Sequence, residues 1–271
     1  MTSHESLSGI ETTFGFDLLN SIEFQEPFVF SPVSLLFALA LLGRDGFNST
    51  VLSTYTKYGF RDPDVYNYLK KDLSDIVVHG DSGVNDVRRN TTNQSRILFN
   101  GVWEAKMPLK RAGVFFPTTT TSKRIVYLKN ERHVLLNVDD QFKVVIVIMI
   151  SIPYDDWNLQ FVVLLPAKSF SLKKALKKLT KTRFEKLHQD ATIELVHIMI
   201  PKFDILQLLI NSKNRGLQPP IKTSLKYKHS PRVAGMLYRP ENREPYFFKA
   251  DNPFVFGVLR NGRPVYLGIY S

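Results

Sequence analysis

Six histidines stand at positions 4, 79, 133, 188, 197 and 229 of this 271-residue chain, and no two share the i, i+4 spacing by which a helix offers paired imidazoles to zinc. The chain has no cysteine, so thiolate nucleophiles, thiolate metal sites and disulfide frameworks are excluded. No Gly-x-Ser-x-Gly elbow, phosphate-cradling glycine loop or dinucleotide fingerprint is present. The side chains that catalysis needs are not assembled. The histidines read as surface or structural groups, and the chain reads as a non-enzyme that requires no cofactor and no metal.

What remains is charge. The formal net charge is +11 and the isoelectric point is near 9.7, a balance that favours contact with polyanions. The densest basic group, Lys168 to Lys186, lacks the aromatic interleaving that base stacking uses. A solvated helix face is the plain reading and a weak polyanion or glycan contact the sharper one. The longest apolar run, Val144 to Ile150, is far short of the roughly 20 residues that cross a bilayer, so no membrane span is expected. The first fourteen residues lack the basic start and apolar stretch of a secretory signal. A cytoplasmic location is therefore expected, with the extracellular space as the alternative.

The elements that would position such side chains fall into two kinds. Phe14, Leu18 and Ile22 share one face of a helix predicted over Glu11 to Ile22. A short strand, Phe28 to Phe30, runs into Ser31-Pro32, where serine caps and proline opens an all-apolar helix from Val33 to Leu42. Helices are also predicted over Ser49 to Tyr58 and Asp64 to about Val78, and a polar loop over Asp81 to Ser95. The period then changes. Strands are predicted over Arg96 to Trp103, Ile125 to Leu128, Phe142 to Ile152, Leu159 to Leu165 and Thr192 to Ile200. Between the last two, Ser171 to about His188 reads as one or two surface helices with Ser171 as cap. Its face of Leu172, Ala175, Leu176 and Leu179 opposes one of Lys173, Lys174, Lys177 and Lys178. A final hairpin turns at Asn261-Gly262.

Four separated segments, in order, carry a family likeness. Phe28 to Thr50 (FVFSPVSLLFALALLGRDGFNST) joins a strand through Ser-Pro to a buried helix. Ser151 to Pro166 (SIPYDDWNLQFVVLLP) sets a Pro-Tyr turn before an apolar strand ending in Leu-Pro, and Ile200 to Ile205 (IPKFDI) follows. Phe248 to Ser271 (FKADNPFVFGVLRNGRPVYLGIYS) is the strongest match. Together these resemble the serpins, with wording nearest the nematode-type intracellular serpins. The resemblance implies one mixed α/β (α+β) domain over residues 1–271, helices first and sheets after. It also implies a monomeric serine-type endopeptidase inhibitor. In that family a protease cleaves an exposed reactive-centre loop, which then inserts as a strand into the central sheet.

The sequence departs from the family pattern in two places, near 81–125 and 206–247. Fewer than fifty residues separate the fourth helix from the region around Val126, so the central sheet is expected to be incomplete. In place of the Glu-Gly-Thr hinge stands a stretch holding Pro219, Pro220 and Pro231 with Lys222, Lys226, Lys228 and Arg232. Proline cannot donate to a ladder and buried unpaired charge is costly, so insertion is disfavoured there. The resemblance places the reactive-centre loop near 236–248, with scissile-bond candidates Arg239, Asn242 and Arg243. An arginine there suits the acidic pocket of a trypsin-like serine protease, although Pro240 opposes cleavage after Arg239. The alternative expectation is a non-inhibitory, serpin-derived binding protein or a decayed copy.

Overall fold

A computed structural model describes residues 9–36, 39, 67–68, 109–139, 147–153, 158–203 and 244–271. The helices expected over 49–58 and 64–78 lie outside the described residues apart from 67–68, which are helical. The loop at 81–95, the strand at 96–103 and the whole of 204–243 also lie outside them. The expectation of an incomplete central sheet therefore rests largely on segments outside the described residues.

Among the described residues, nine strands join one sheet in the order β1-β9-β8-β5-β4-β3-β6-β7, with β2 paired to β3 off that path. These are β1 (Phe28–Phe30), β2 (Leu109–Phe115), β3 (Lys123–Asp139), β4 (Val147–Pro153), β5 (Leu159–Pro166), β6 (Thr192–Pro201), β7 (Tyr246–Lys249), β8 (Phe254–Arg260) and β9 (Arg263–Tyr270). The helices are α1 (Ile10–Ser21), α2 (Leu172–Leu176) and α3 (Lys181–Gln189). Only β7 pairs in parallel, with β6; every other neighbour is antiparallel.

Strands β1, β5, β8 and β9 are covered on both faces, which is why they read as unbroken apolar runs. One face contributes Val29, Phe161, Val163, Phe254 and Phe256 to a core shared with Val196, Ile198 and Phe248. The other sends Phe28, Phe30, Val162, Leu164, Val255 and Leu267 against Phe16, Leu19 and the buried sides of α2 and α3. The α1 stripe therefore differs from expectation. Phe14 is buried, but Phe16 and Leu19 are buried too, while Leu18 and Ile22 are only partly covered. The helix is wedged between two apolar layers, so a single stripe does not describe it.

The closing hairpin matches its reading. Asn261 and Gly262 take φ of 50° and 77°, the left-handed pair that lets a two-residue turn follow strand twist. Gly268 on β9 is required for a different reason: a Cβ there would stand 2.5 Å from both Phe28 O and Phe256 Cζ, so β1 could not approach. The Ser31-Pro32 start also holds, since Ser34 N donates to Ser31 Oγ at 3.4 Å and Leu35 N to Ser31 O at 3.1 Å. The lysine-rich segment is two helices, divided where Thr180 caps α3 by accepting from Arg183 N at 3.2 Å. Ser171 makes no side-chain cap on α2; its Oγ instead donates to Lys168 O at 2.6 Å.

Two polar contacts tie α3 to the sheet. Arg183 Nε donates to Asp139 Oδ2 at 2.6 Å with both side chains buried, and Asn137 Nδ2 donates to Leu187 O at 2.9 Å. Burial also pushes the His188 imidazole below its ordinary pKa of 6.5. Two measurements follow. In Asp139→Ala the Arg183 guanidinium loses this buried carboxylate, and urea denaturation should show a loss of about 3–5 kcal/mol; a loss below about 1 kcal/mol would contradict the buried pairing. Because the unfolded chain binds the His188 proton more readily than the folded one, stability should fall as pH drops below 6.5 toward the lowered folded value. His188→Gln should flatten that part of the stability-pH curve, and an unchanged slope would contradict it.

Candidate functional site

The reactive-loop candidates Arg239, Asn242 and Arg243 lie outside the described residues. What the structure describes is the place where that segment returns to the fold. Glu244 and Pro245 are exposed, and the next four residues enter the sheet as β7. Tyr246, Phe247, Phe248 and Lys249 pair in register with Val196, His197, Ile198 and Met199. A parallel strand of four residues has little intrinsic stability, so side chains and flanking bonds must hold it.

Alternation along β7 does this. Phe248 points inward and is 1% exposed within the main core, beside Val196 and Ile198. Phe247, 60% exposed, lies on the opposite face, where its ring stacks against that of His197 with centroids 6.0 Å apart and 28° between planes. His197 Nδ1 is in turn 2.6 Å from Glu131 Oε2 on β3. Beyond β7, Ala250 N donates to Met199 O at 2.9 Å, and Phe116 N donates to Asp251 O at 2.8 Å. Lys249 Nζ lies 2.8 Å from Asp251 Oδ2. Chain entering from residue 244 is therefore fastened to β6 and to the end of the β2 region before β8 begins.

Burial sets the local electrostatics. Tyr246 is raised above its ordinary pKa by burial, and so, more strongly, is Tyr127, with Asp251 and Tyr270 adding to the effect. Tyr127 OH donates to Val114 O at 2.9 Å, which holds β2 to β3. A cleft of about 300 Å³ between the end of β5 and β7 is bordered by Pro166, Ser169, Phe247 and Asn252 together with the Lys249–Asp251 ion pair. Elsewhere, Ser151 Oγ donates to Gln160 Oε1 at 3.0 Å while His188 Nε2 lies 2.7 Å from the same oxygen. Both groups meet one amide oxygen, so the imidazole is not placed to take the serine proton. No group of metal-ligating side chains occurs among the described residues.

Sequence reading missed β7 and the His197–Glu131 pair. The aromatic run Tyr246-Phe247-Phe248 was the available signal, but four residues behind a proline carry no measurable period.

The serpin (serine protease inhibitor) family model matches residues 88–211. No curated protein sequence matches the chain. Among solved structures, the thermophilic serpin tengpin in its native state is similar with a TM-score of 0.65 at 15% identity, covering 100% of this chain and 95% of that one. Native protease nexin-1 with heparin gives 0.70 at 14%, covering 98% of each chain. Mouse protein-Z dependent protease inhibitor gives 0.68 at 14%, covering 98% of this chain and 96% of that one. At such identities these likenesses establish the fold, and with the family match they bear out the serpin resemblance. The family model is that of an inhibitor and not of an enzyme.

Phe248→Ala should remove about 3–5 kcal/mol of stability, whereas Phe247→Ala should cost less than about 1 kcal/mol. Urea denaturation of the two variants checks this, and equal losses would contradict the assignment of inner and outer faces.

Proposed function

We propose that this chain, which matches the serpin family model over residues 88–211 and carries the serpin fold, inhibits serine-type endopeptidases and offers residues 236–248 as bait. The observation that supports the reading is the anchored return of that segment. Exposed Glu244 and Pro245 lead straight into β7, so a bait ahead of them is tethered to a rigid frame on its downstream side. Tethering lowers the entropy lost when a protease cleft closes on extended chain. The partner of this reading is a trypsin-like serine protease that takes Arg243, with Arg239 disfavoured by Pro240 and Asn242 as the remaining candidate. The proposed setting is the cytoplasm and the proposed form a monomer.

A second reading rests on Pro219, Pro220 and Pro231 with their neighbouring basic residues. A segment of that composition resists addition to a sheet as a strand. Under this reading the chain is a serpin-derived binding protein whose loop is cut without trapping the protease.

Incubation with trypsin, followed by denaturing electrophoresis, separates the two. The inhibitor reading expects an SDS-stable adduct and a cleavage within 239–243, with Arg243→Ala slowing both on the order of hundredfold or more. Cleavage at that position without adduct would overturn inhibition and favour the second reading.

A further inference from the structure

We propose that the basic corner formed by the 167–171 turn and α2 docks on an anionic membrane surface, with Phe170 as its apolar anchor. The turn comes first. Ser171 N and Oγ both donate to Lys168 O, at 3.3 and 2.6 Å, and the tight turn they close places Phe170 at φ 60°. A bulky residue in that region is strained, and the strain is of a kind that gathers at binding sites. The residue is only part-covered in return, for Phe170 is 42% exposed while its neighbours Ser171 and Leu172 are buried. A strained turn thus leaves part of a large apolar residue open to solvent.

The segment that follows carries four exposed lysines. Lys173, Lys174, Lys177 and Lys178 are exposed, whereas Leu172, Ala175, Leu176 and Leu179 are buried. Lys177 N donates to Lys173 O at 3.4 Å, so this pair stands one turn apart with like charges, a mutually repulsive arrangement. Lys173 and Glu23 are 3.6 Å apart, but both are exposed and the pair contributes little. Among the described residues no ion pair is formed by Lys174, Lys177 or Lys178. The patch is nevertheless rigid, because its apolar side is core and Arg183 donates to Lys178 O at 3.5 Å as well as to Asp139.

Anionic headgroups answer the uncompensated lysines, and the acyl boundary answers the ring. One exposed ring gives no platform for successive bases, and a sulfated glycan offers no apolar phase to Phe170. The sequence expectation of no membrane rested on the absence of a span, and surface docking requires none. No described helix is long and apolar enough to cross a membrane.

The test is co-sedimentation of the full chain with vesicles of phosphatidylcholine, with and without roughly one-third phosphatidylserine. Binding should require the anionic lipid and weaken with salt. Replacing Lys173, Lys174, Lys177 and Lys178 by glutamine should reduce it on the order of hundredfold or more. The same four-charge change at Lys110, Arg111, Lys123 and Arg124, exposed on β2 and β3, should reduce it far less. Phe170→Ser should weaken binding roughly fivefold with the salt dependence unchanged. Circular dichroism of each variant confirms that it is folded. The proposal is overturned by equal losses from the two charge sets, by no effect of Phe170→Ser, or by no preference for anionic vesicles.

Discussion

One strand carries more of this fold than any other. Strand β3 pairs with β2 over Lys123–Lys129, with β6 over Tyr127–Leu136 and with β4 over Leu135–Asp139. It thereby joins the β2–β6–β7 side of the sheet to the β4–β5–β8–β9 side, and its end takes the Arg183 pair that fixes α3. Backbone groups buried in a sheet must find partners, so loss of β3 would leave the ladders of three strands open at once. The return of residues 244–250 depends on it at one remove, because among the described residues β7 pairs only with β6, and β6 pairs with β3.

That dependence explains why the site is mechanical. Phe248 sits in the core, Phe247 rests on His197, and His197 reaches Glu131 on β3. Lys249, the last residue of β7, is paired with Asp251. What the arrangement supplies is a fixed downstream end for the segment that precedes it, which is what a chain presented to another protein's active site requires.

Much of this was legible in the sequence wherever burial was one-sided or complete. The Leu and Lys alternation of Leu172–Leu179, the apolar run Leu159–Pro166 and the Asn261-Gly262 turn each point to the element that forms. The misses have physical causes. β2 (Leu109–Phe115) is largely exposed with Lys110, Arg111 and Gly113, so no apolar period marks it as a strand. β3 was predicted only over Ile125 to Leu128, yet it spans seventeen residues. Its middle, Lys129 to His133, is polar because one face is open to solvent, and polarity there mimics a turn. The Ser171 cap failed because its hydroxyl turns back to Lys168. Residues 239–243 had a family argument but lie outside the described structure, and β7 was too short for any period to reveal.

The most direct measurement is amide hydrogen exchange across Glu244–Ala250. If β7 is fastened as described, the Phe248 and Ala250 amides should exchange far more slowly than that of exposed Glu244, with protection approaching that of β6. Uniformly fast exchange through Ala250 would contradict the anchored return on which the functional reading stands.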